Sequence, residues 1–102
     1  MYIVFVTTKN RKEAEKIAAG LLKEKLIACA NIIDGVRSLF WWQGKIDRAS
    51  EALLILKTRK SVFKRLESRI KSLHSYSVPE ILAVEVAAGS KEYVRWVGES
   101  VC

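Results

Sequence analysis

A run of adjacent aromatic residues in the middle of the chain constrains its fold more than any other segment. The run Phe40–Trp42 is followed by the pair Gln43–Gly44, and the apolar run Ala52–Leu56 comes after a short charged stretch. An aromatic run, a glycine turn and an apolar run predict a long β-hairpin. Because side chains alternate between the faces of a strand, three adjacent aromatics need cover on both faces. The hairpin therefore predicts that another copy of the chain buries part of it.

Length and composition indicate the class of protein. The 102 residues fit one domain spanning residues 1–102, and the 50% hydrophobic content is ample for one core. No apolar run reaches the length of a membrane span, and Met1–Val6 is predicted to be a strand and not a signal peptide. Cys29 and Cys102 are too few for a disulfide scaffold, so we expect a cytoplasmic chain with reduced thiols.

The net charge of +7 leaves an anionic partner open. Lys and Arg occur throughout the predicted helices without a dense basic run, which favours a solvated surface over a nucleic-acid patch. A nucleic-acid partner is therefore not expected.

Apolar spacing predicts an α+β chain with the element order β-α-β-β-α-β-α. The first six elements match the split-βαβ, ferredoxin-like arrangement of one antiparallel sheet with two helices on one face, and a C-terminal helix is added. Three polar residues are predicted to be helix N-caps, and an Asp-Gly pair is predicted to make a bend or a bulge. The predicted strands are Tyr2–Thr8, Ala28–Trp42, Ala49–Thr58 and Glu80–Ala87; the caps are Asn10, Ser61 and Ser90; the first helix ends near Lys25; the bulge is Asp34–Gly35.

The predicted sheet has apolar residues on both of its faces. Ile3–Val6, Ala52–Leu56 and Ile81–Val84 are nearly continuous apolar runs, whereas a sheet covered on one side normally alternates with polar residues. An uncovered second face would be a larger apolar patch than soluble monomers usually expose. This pattern predicts a closed homo-oligomer in which the sheets of neighbouring subunits face one another.

Two residues are candidate metal ligands, each with a simpler alternative. Cys29, between two alanines, is a small buried hydrophobe or a soft ligand of the kind that selects copper(I) or zinc. His74, the only histidine, can ligate a metal, act as an acid or base, or cap the end of the second helix. One cysteine and one histidine do not complete a zinc site, so any metal needs carboxylates, water or a second subunit.

Charged and aromatic residues near His74 and on the third strand are further candidates. Tyr76 and Glu80 lie in the loop before the last strand, where Glu80 is either an acid–base partner of His74 or a surface carboxylate. The Lys57 side chain either lies over neighbouring apolar residues with its ammonium group in water, or binds an anionic ligand. Glu51 is the suggested ion-pair partner of Lys57. Phosphate loops, nucleophile elbows and CxxC pairs are absent. The third strand also lacks the aromatics of an RNA-recognition domain, which shares this element order.

Four separated segments resemble the CutA divalent-cation tolerance proteins, and the resemblance extends from Tyr2 to Val97. It implies a ferredoxin-like subunit in a tight homotrimer similar to the PII signalling proteins, with no enzymatic reaction and no organic cofactor. It also implies tolerance of divalent cations and binding of copper or another divalent cation. The four segments are Leu22–Ile32, Ser38–Ile46, Leu54–Thr58 and Leu73–Ile81.

The metal ligands that the resemblance implies are Cys29, in the Ala-Cys-Ala segment, and His74, in the His-x-Tyr-x-x-Pro-Glu loop. A third cysteine of some members corresponds to Val6, which cannot bind a metal. The acidic run of some members corresponds here to the uncharged segment Ala87–Ser90.

A PII-like sensor is the alternative function. Such a protein binds an anionic small molecule in the clefts between subunits, and its candidate cleft residues here are Trp42, Lys57, Tyr76 and Glu80.

Overall fold

The computed structural model describes residues 1–102 and has the predicted α+β architecture with a ferredoxin-like element order. None of its helices is both long and apolar enough to pass through a bilayer. The elements are β1 (Tyr2–Thr8), α1 (Arg11–Lys23), β2 (Cys29–Trp42), β3 (Lys45–Thr58), a 3-10 turn (Lys60–Val62), α2 (Phe63–Leu73), β4 (Ile81–Glu85) and α3 (Lys91–Ser100).

The four strands form one antiparallel sheet in the order β2-β3-β1-β4. Alternate residues of β1 and β3 point towards α1 and α2 and make the core with the apolar stripes of both helices. Burying each of these aliphatic side chains stabilises the fold by about 1.5–3 kcal/mol. The fully buried core side chains include Val4, Val6, Ile17, Leu21, Leu54, Leu56, Leu66 and Ile70.

Two of the three predicted N-caps are confirmed. Asn10 Oδ1 accepts from the Glu13 backbone N–H at 2.8 Å, and Ser90 Oγ accepts from the Tyr93 N–H at 3.3 Å. The prediction for Ser61 is wrong, because this residue lies inside the 3-10 turn and α2 begins at Phe63 with no side-chain cap. The 3-10 turn occupies positions that the prediction assigned to the start of a longer α2.

The β2–β3 hairpin is longer than predicted. Its return strand begins at Lys45 and not at Ala49, because the charged residues after the turn pair with the aromatic run as far as Trp42. Gln43 and Gly44 both have positive φ, 50° and 77°, which is the backbone of a two-residue type I′ turn. The strand direction therefore reverses within two residues.

The predicted bulge is confirmed on β2. The pairing register shifts between Ile33 and Val36, and Gly35 adopts φ 70°, a conformation that glycine reaches without strain. The last strand, in contrast, is shorter than predicted and covers only Ile81–Glu85. Beyond the bulge the hairpin extends as an arm, and the molecule measures 44 × 26 × 23 Å.

Candidate functional site

The loop between α2 and β4 is attached to the rest of the fold through His74. The imidazole Nε2 lies 2.7 Å from the Thr7 carbonyl oxygen, and Nδ1 accepts from the Tyr76 backbone N–H at 3.0 Å. These partners assign the proton to Nε2, which donates to Thr7. Both ring nitrogens are therefore engaged, and Glu80, which is exposed, does not pair with the ring.

A second attachment of the loop is a contact between Tyr76 and Glu51 on β3. The Tyr76 hydroxyl donates to Glu51 Oε2 at 2.7 Å, and Glu51 is only 8% exposed. Burial, followed by this hydrogen bond and the carboxylate charge, raises the pKa of Tyr76 to about 12. The suggested pairing of Glu51 with Lys57 is wrong, since Lys57 Nζ donates to Asn31 Oδ1 instead.

Glu13, on the first turn of α1, makes a third attachment that the sequence prediction missed. Glu13 Oε2 accepts from the Ser75 backbone N–H at 2.9 Å, and Oε1 accepts from the Lys9 N–H at 3.1 Å. Partial burial works to raise the pKa of Glu13, but hydrogen bonding to the Ser75 side chain, these two backbone N–H groups and the nearby His74 outweigh it and lower the pKa. The sequence shows Glu13 only as a residue near a helix cap, with no sign of a contact 62 residues away.

Cys29 lies at the other end of the sheet, at the start of β2. It is half-buried and sits directly across from Lys57 on β3. Its Sγ lies 3.6 Å from the Tyr93 hydroxyl of α3, and this hydrogen bond raises the pKa of Tyr93. Tyr93 is a second neighbour that sequence spacing alone did not reveal.

The structure does not bring Cys29 and His74 together within one chain. In the sheet, Cys29 of β2 lies opposite Lys57 of β3. His74 is hydrogen-bonded to the backbone of Thr7, which lies opposite Leu53 of β3. Lys57 and Leu53 are four residues apart on β3, which is about 13 Å along the strand. No cluster of three His, Cys, Asp or Glu side chains in the chain is placed to hold a metal ion. The residues of one chain therefore do not make a complete metal site.

The four predicted cleft residues are also spread over the molecule. Tyr76 and Glu80 share the α2–β4 loop, but Trp42 lies at the tip of the hairpin arm opposite Lys45. Twelve residues separate Lys45 from Lys57 on the same strand, or about 40 Å. A cleft containing all four residues needs more than one copy of the chain.

The hairpin arm and the outer face of the sheet expose large apolar side chains. On the arm, Trp41 is 73% exposed and Trp42 is 54% exposed, and they point to opposite faces. On the outer face, Leu82 and Val84 alternate with β4 residues that pack on the core. We call this set the apolar surface; it comprises Leu39, Trp41, Trp42, Ile46, Leu82 and Val84.

Fold and surface together define a ferredoxin-like α+β protein with an extended hairpin arm and an uncovered apolar sheet face. Its sequence matches the family model described as CutA1 divalent ion tolerance protein over residues 2–100. The chain therefore belongs to the CutA1 family, and the predicted resemblance is confirmed.

Individual relatives agree with this assignment. The Archaeoglobus fulgidus divalent-cation tolerance protein CutA is 42% identical over 96% of this chain and 95% of its own length. The chloroplastic protein CutA 1 of Oryza sativa is 39% identical over 96% of this chain, which spans only 55% of that plant protein. The solved divalent cation tolerance protein of Thermus thermophilus superposes with a TM-score of 0.97 and 40% identity, with full coverage of both chains.

Proposed function

We propose that the protein contributes to divalent-cation tolerance as a non-enzymatic homotrimer that binds copper or another divalent cation. Membership of the CutA1 family supports the role in cation tolerance. The observation that carries the assembly is the apolar surface, because several large apolar side chains exposed together mark sites of protein–protein contact. Assembly also supplies what one chain lacks, since a second copy can complete an unfinished ligand set.

Cys29 is the ligand that the structure favours within this proposal. Its sulfur is half-exposed on the outer side of the sheet, and thiolates are the ligands that select copper(I). His74 can join a metal site only if its ring leaves the Thr7 carbonyl or the Tyr76 N–H. The remaining ligands then come from water or from neighbouring subunits.

A reducing compartment fits this chemistry. Cys29 and Cys102 are both unpaired, and free thiols persist in the cytoplasm. We therefore propose a cytoplasmic protein, although the Oryza sativa relative is named as chloroplastic.

An anaerobic copper titration of the reduced protein tests the metal site. The experiment uses a Cys102→Ser background, because the exposed Cys102 thiol can bind copper on its own. We expect saturable binding at a whole-number ratio per subunit or per trimer, competing with a chelator. Cys29→Ser in the same background should abolish this binding. Unchanged affinity in Cys29→Ser, or only weak binding without a fixed ratio, would contradict the proposal.

The second candidate function is a PII-like sensor for an anionic small molecule. It is favoured by Lys57, a half-buried ammonium with an amide partner and no carboxylate within 4.0 Å. The cleft would combine Lys57 with Trp42, Tyr76 and Glu80 of neighbouring subunits. A ligand of this kind raises the melting temperature, and the stabilisation grows with the logarithm of the ratio of ligand concentration to dissociation constant. A broad screen of anionic metabolites with no shift would contradict this function.

A further inference from the structure

Positive charge is concentrated on one short part of the chain. Residues 59–74 contain six Lys or Arg and a single Glu, which places a net +5 of the total +7 in this segment. The expectation that Lys and Arg are scattered over the helices without clustering therefore needs correction for this segment. The segment includes α2, whose apolar stripe of Leu66 and Ile70 packs into the core and leaves the basic side chains outside.

An open groove runs along the basic side of α2. It has a volume of about 530 Å³ and is lined by Lys64, Arg65, Ser68, Arg69 and Ser72 of α2 and, opposite them, by Glu24 and Leu26. We call it the α2 groove. Eight residues separate Lys64 from Ser72, so the groove follows α2 for about 12 Å.

The only carboxylate of the α2 groove is already neutralised. Arg69 Nε donates to both carboxylate oxygens of Glu24, at 3.0 and 2.9 Å, and Arg69 Nη1 donates to Ser72 Oγ at 2.9 Å. Arg69 therefore links Glu24 on one side of the groove to Ser72 on α2. The groove keeps a surplus of positive charge beyond this pair.

Lys64 and Arg65 carry that surplus. Neither lies within 4.0 Å of an Asp or Glu carboxylate, whereas Lys71 of the same helix pairs with Glu67 at 3.5 Å. Arg65 Nη2 donates to the Cys102 backbone oxygen at 3.3 Å, and the Ser68 hydroxyl, one turn along α2, makes no protein hydrogen bond. Ammonium, guanidinium and hydroxyl donors thus line one stretch of the wall.

The lining indicates the chemistry of the ligand. Planar guanidinium groups bind phosphate through two parallel hydrogen bonds, and lysine adds a point charge. Leu26 is the single apolar residue of the α2 groove, so an apolar ligand gains little there. No aromatic side chain lines it, so bases of a single-stranded nucleic acid would have nothing to stack on.

We propose that the α2 groove binds a small oligophosphate, a ligand with several linked phosphoryl groups. The elongated row of donors suits a short phosphoryl chain better than a single phosphate ion. The α2 groove lies on the helix side of the sheet, opposite Leu82 and Val84, so subunit assembly through the outer sheet face leaves it open. This site is separate from Cys29 and from the proposed cleft.

Calorimetric titration with inorganic tripolyphosphate at physiological ionic strength tests the proposal. The test variant is Lys64→Gln/Arg65→Gln, and the matched control is Lys12→Gln/Lys16→Gln, which removes the same charge from exposed positions of α1. We expect saturable binding at one site per subunit. The test variant should lose about tenfold or more in affinity, because it loses two charge-assisted contacts. The control should change affinity by about twofold or less.

Several results would overturn the proposal. One is the absence of saturable binding to a wild-type protein that is folded by circular dichroism. Another is an equal loss of affinity in the control, which would indicate attraction to net charge alone. Orthophosphate binding as tightly as tripolyphosphate would contradict a site for linked phosphoryl groups. An oligonucleotide that requires Lys64 and Arg65 while tripolyphosphate fails to bind would assign the α2 groove to nucleic acid instead.

Discussion

At the scale of single residues, the contact between Tyr76 and Glu51 determines how the α2–β4 loop crosses the end of the sheet. Glu51 is a nearly buried carboxylate, and burying a charge is costly unless it is paired or hydrogen-bonded. The Tyr76 hydroxyl supplies that hydrogen bond across 25 residues of sequence. The pair therefore couples the conformation of the loop to the stability of β3.

Tyr76→Phe should lower the free energy of unfolding by about 1–3 kcal/mol, because it leaves the Glu51 carboxylate without its donor. The measurement is urea unfolding at a fixed protein concentration, since the proposed assembly would make stability depend on concentration.

Tyr2→Phe is the matched control for that substitution. The Tyr2 ring packs edge-on against Phe63 at 5.8 Å between centroids, and its hydroxyl makes no protein hydrogen bond. We expect Tyr2→Phe to unfold close to the wild type. Equal losses in the two variants would contradict a special role for the hydrogen bond to Glu51.

At the scale of elements, the first turn of α1 fixes the loop through Glu13, and this contact should depend on pH. Because the folded protein lowers the pKa of Glu13 below its ordinary value of 4.5, the folded state favours the ionised form. The resulting stabilisation is complete above the unfolded-state pKa. It is lost as the pH falls below 4.5 and passes through the lower pKa of the folded protein.

Glu13→Gln should therefore be less stable than the wild type near neutral pH, and the difference should shrink as the pH falls below 4.5. Chemical unfolding of both proteins across this range measures the difference. Glu15→Gln, on the exposed side of the same helix, controls for the loss of one negative charge. A stability difference that stays constant with pH would contradict the assigned role of Glu13.

Local sequence signals predicted the elements whose formation depends on neighbouring residues. The cap at Asn10, the bulge at Gly35 and the order of strands and helices follow from local chemistry and periodicity, and all are present. The boundary of β3 was wrong because Lys45 and its charged neighbours have weak strand propensity, and pairing with the aromatic run overrides it. Ser61 failed as a cap because the chain makes a 3-10 turn there.

Contacts between distant segments could not be predicted from the sequence. Residue types identified Cys29 and His74 as candidates, but their separation follows from strand register, which only the three-dimensional pairing reveals. The attachment of Ser75 to Glu13 and the contact of Cys29 with Tyr93 join residues more than 60 positions apart. The periodicity of apolar residues reports local structure and carries no information about contacts between such distant residues.

At the scale of the whole molecule, the outer sheet face, with Leu82 and Val84, and the basic α2 groove lie on different sides of the sheet. The core uses one face of the sheet, and the other face leaves Leu82 and Val84 exposed. Covering such side chains with those of another subunit is favourable by about 25 cal/mol for each Å² removed from water. In the proposed homotrimer, the outer sheet face and the hairpin arm would make the subunit contacts, and the helix face would remain available for ligands.

In the assembly that we propose, the apolar surface is buried in a homotrimer. Native mass spectrometry of the purified protein at micromolar concentration tests it most directly, with light scattering as a check in solution. We expect one species with three times the 11.6 kDa mass of a single chain. A single-chain mass under the same conditions, with Trp41 and Trp42 fluorescing as solvent-exposed residues, would contradict it.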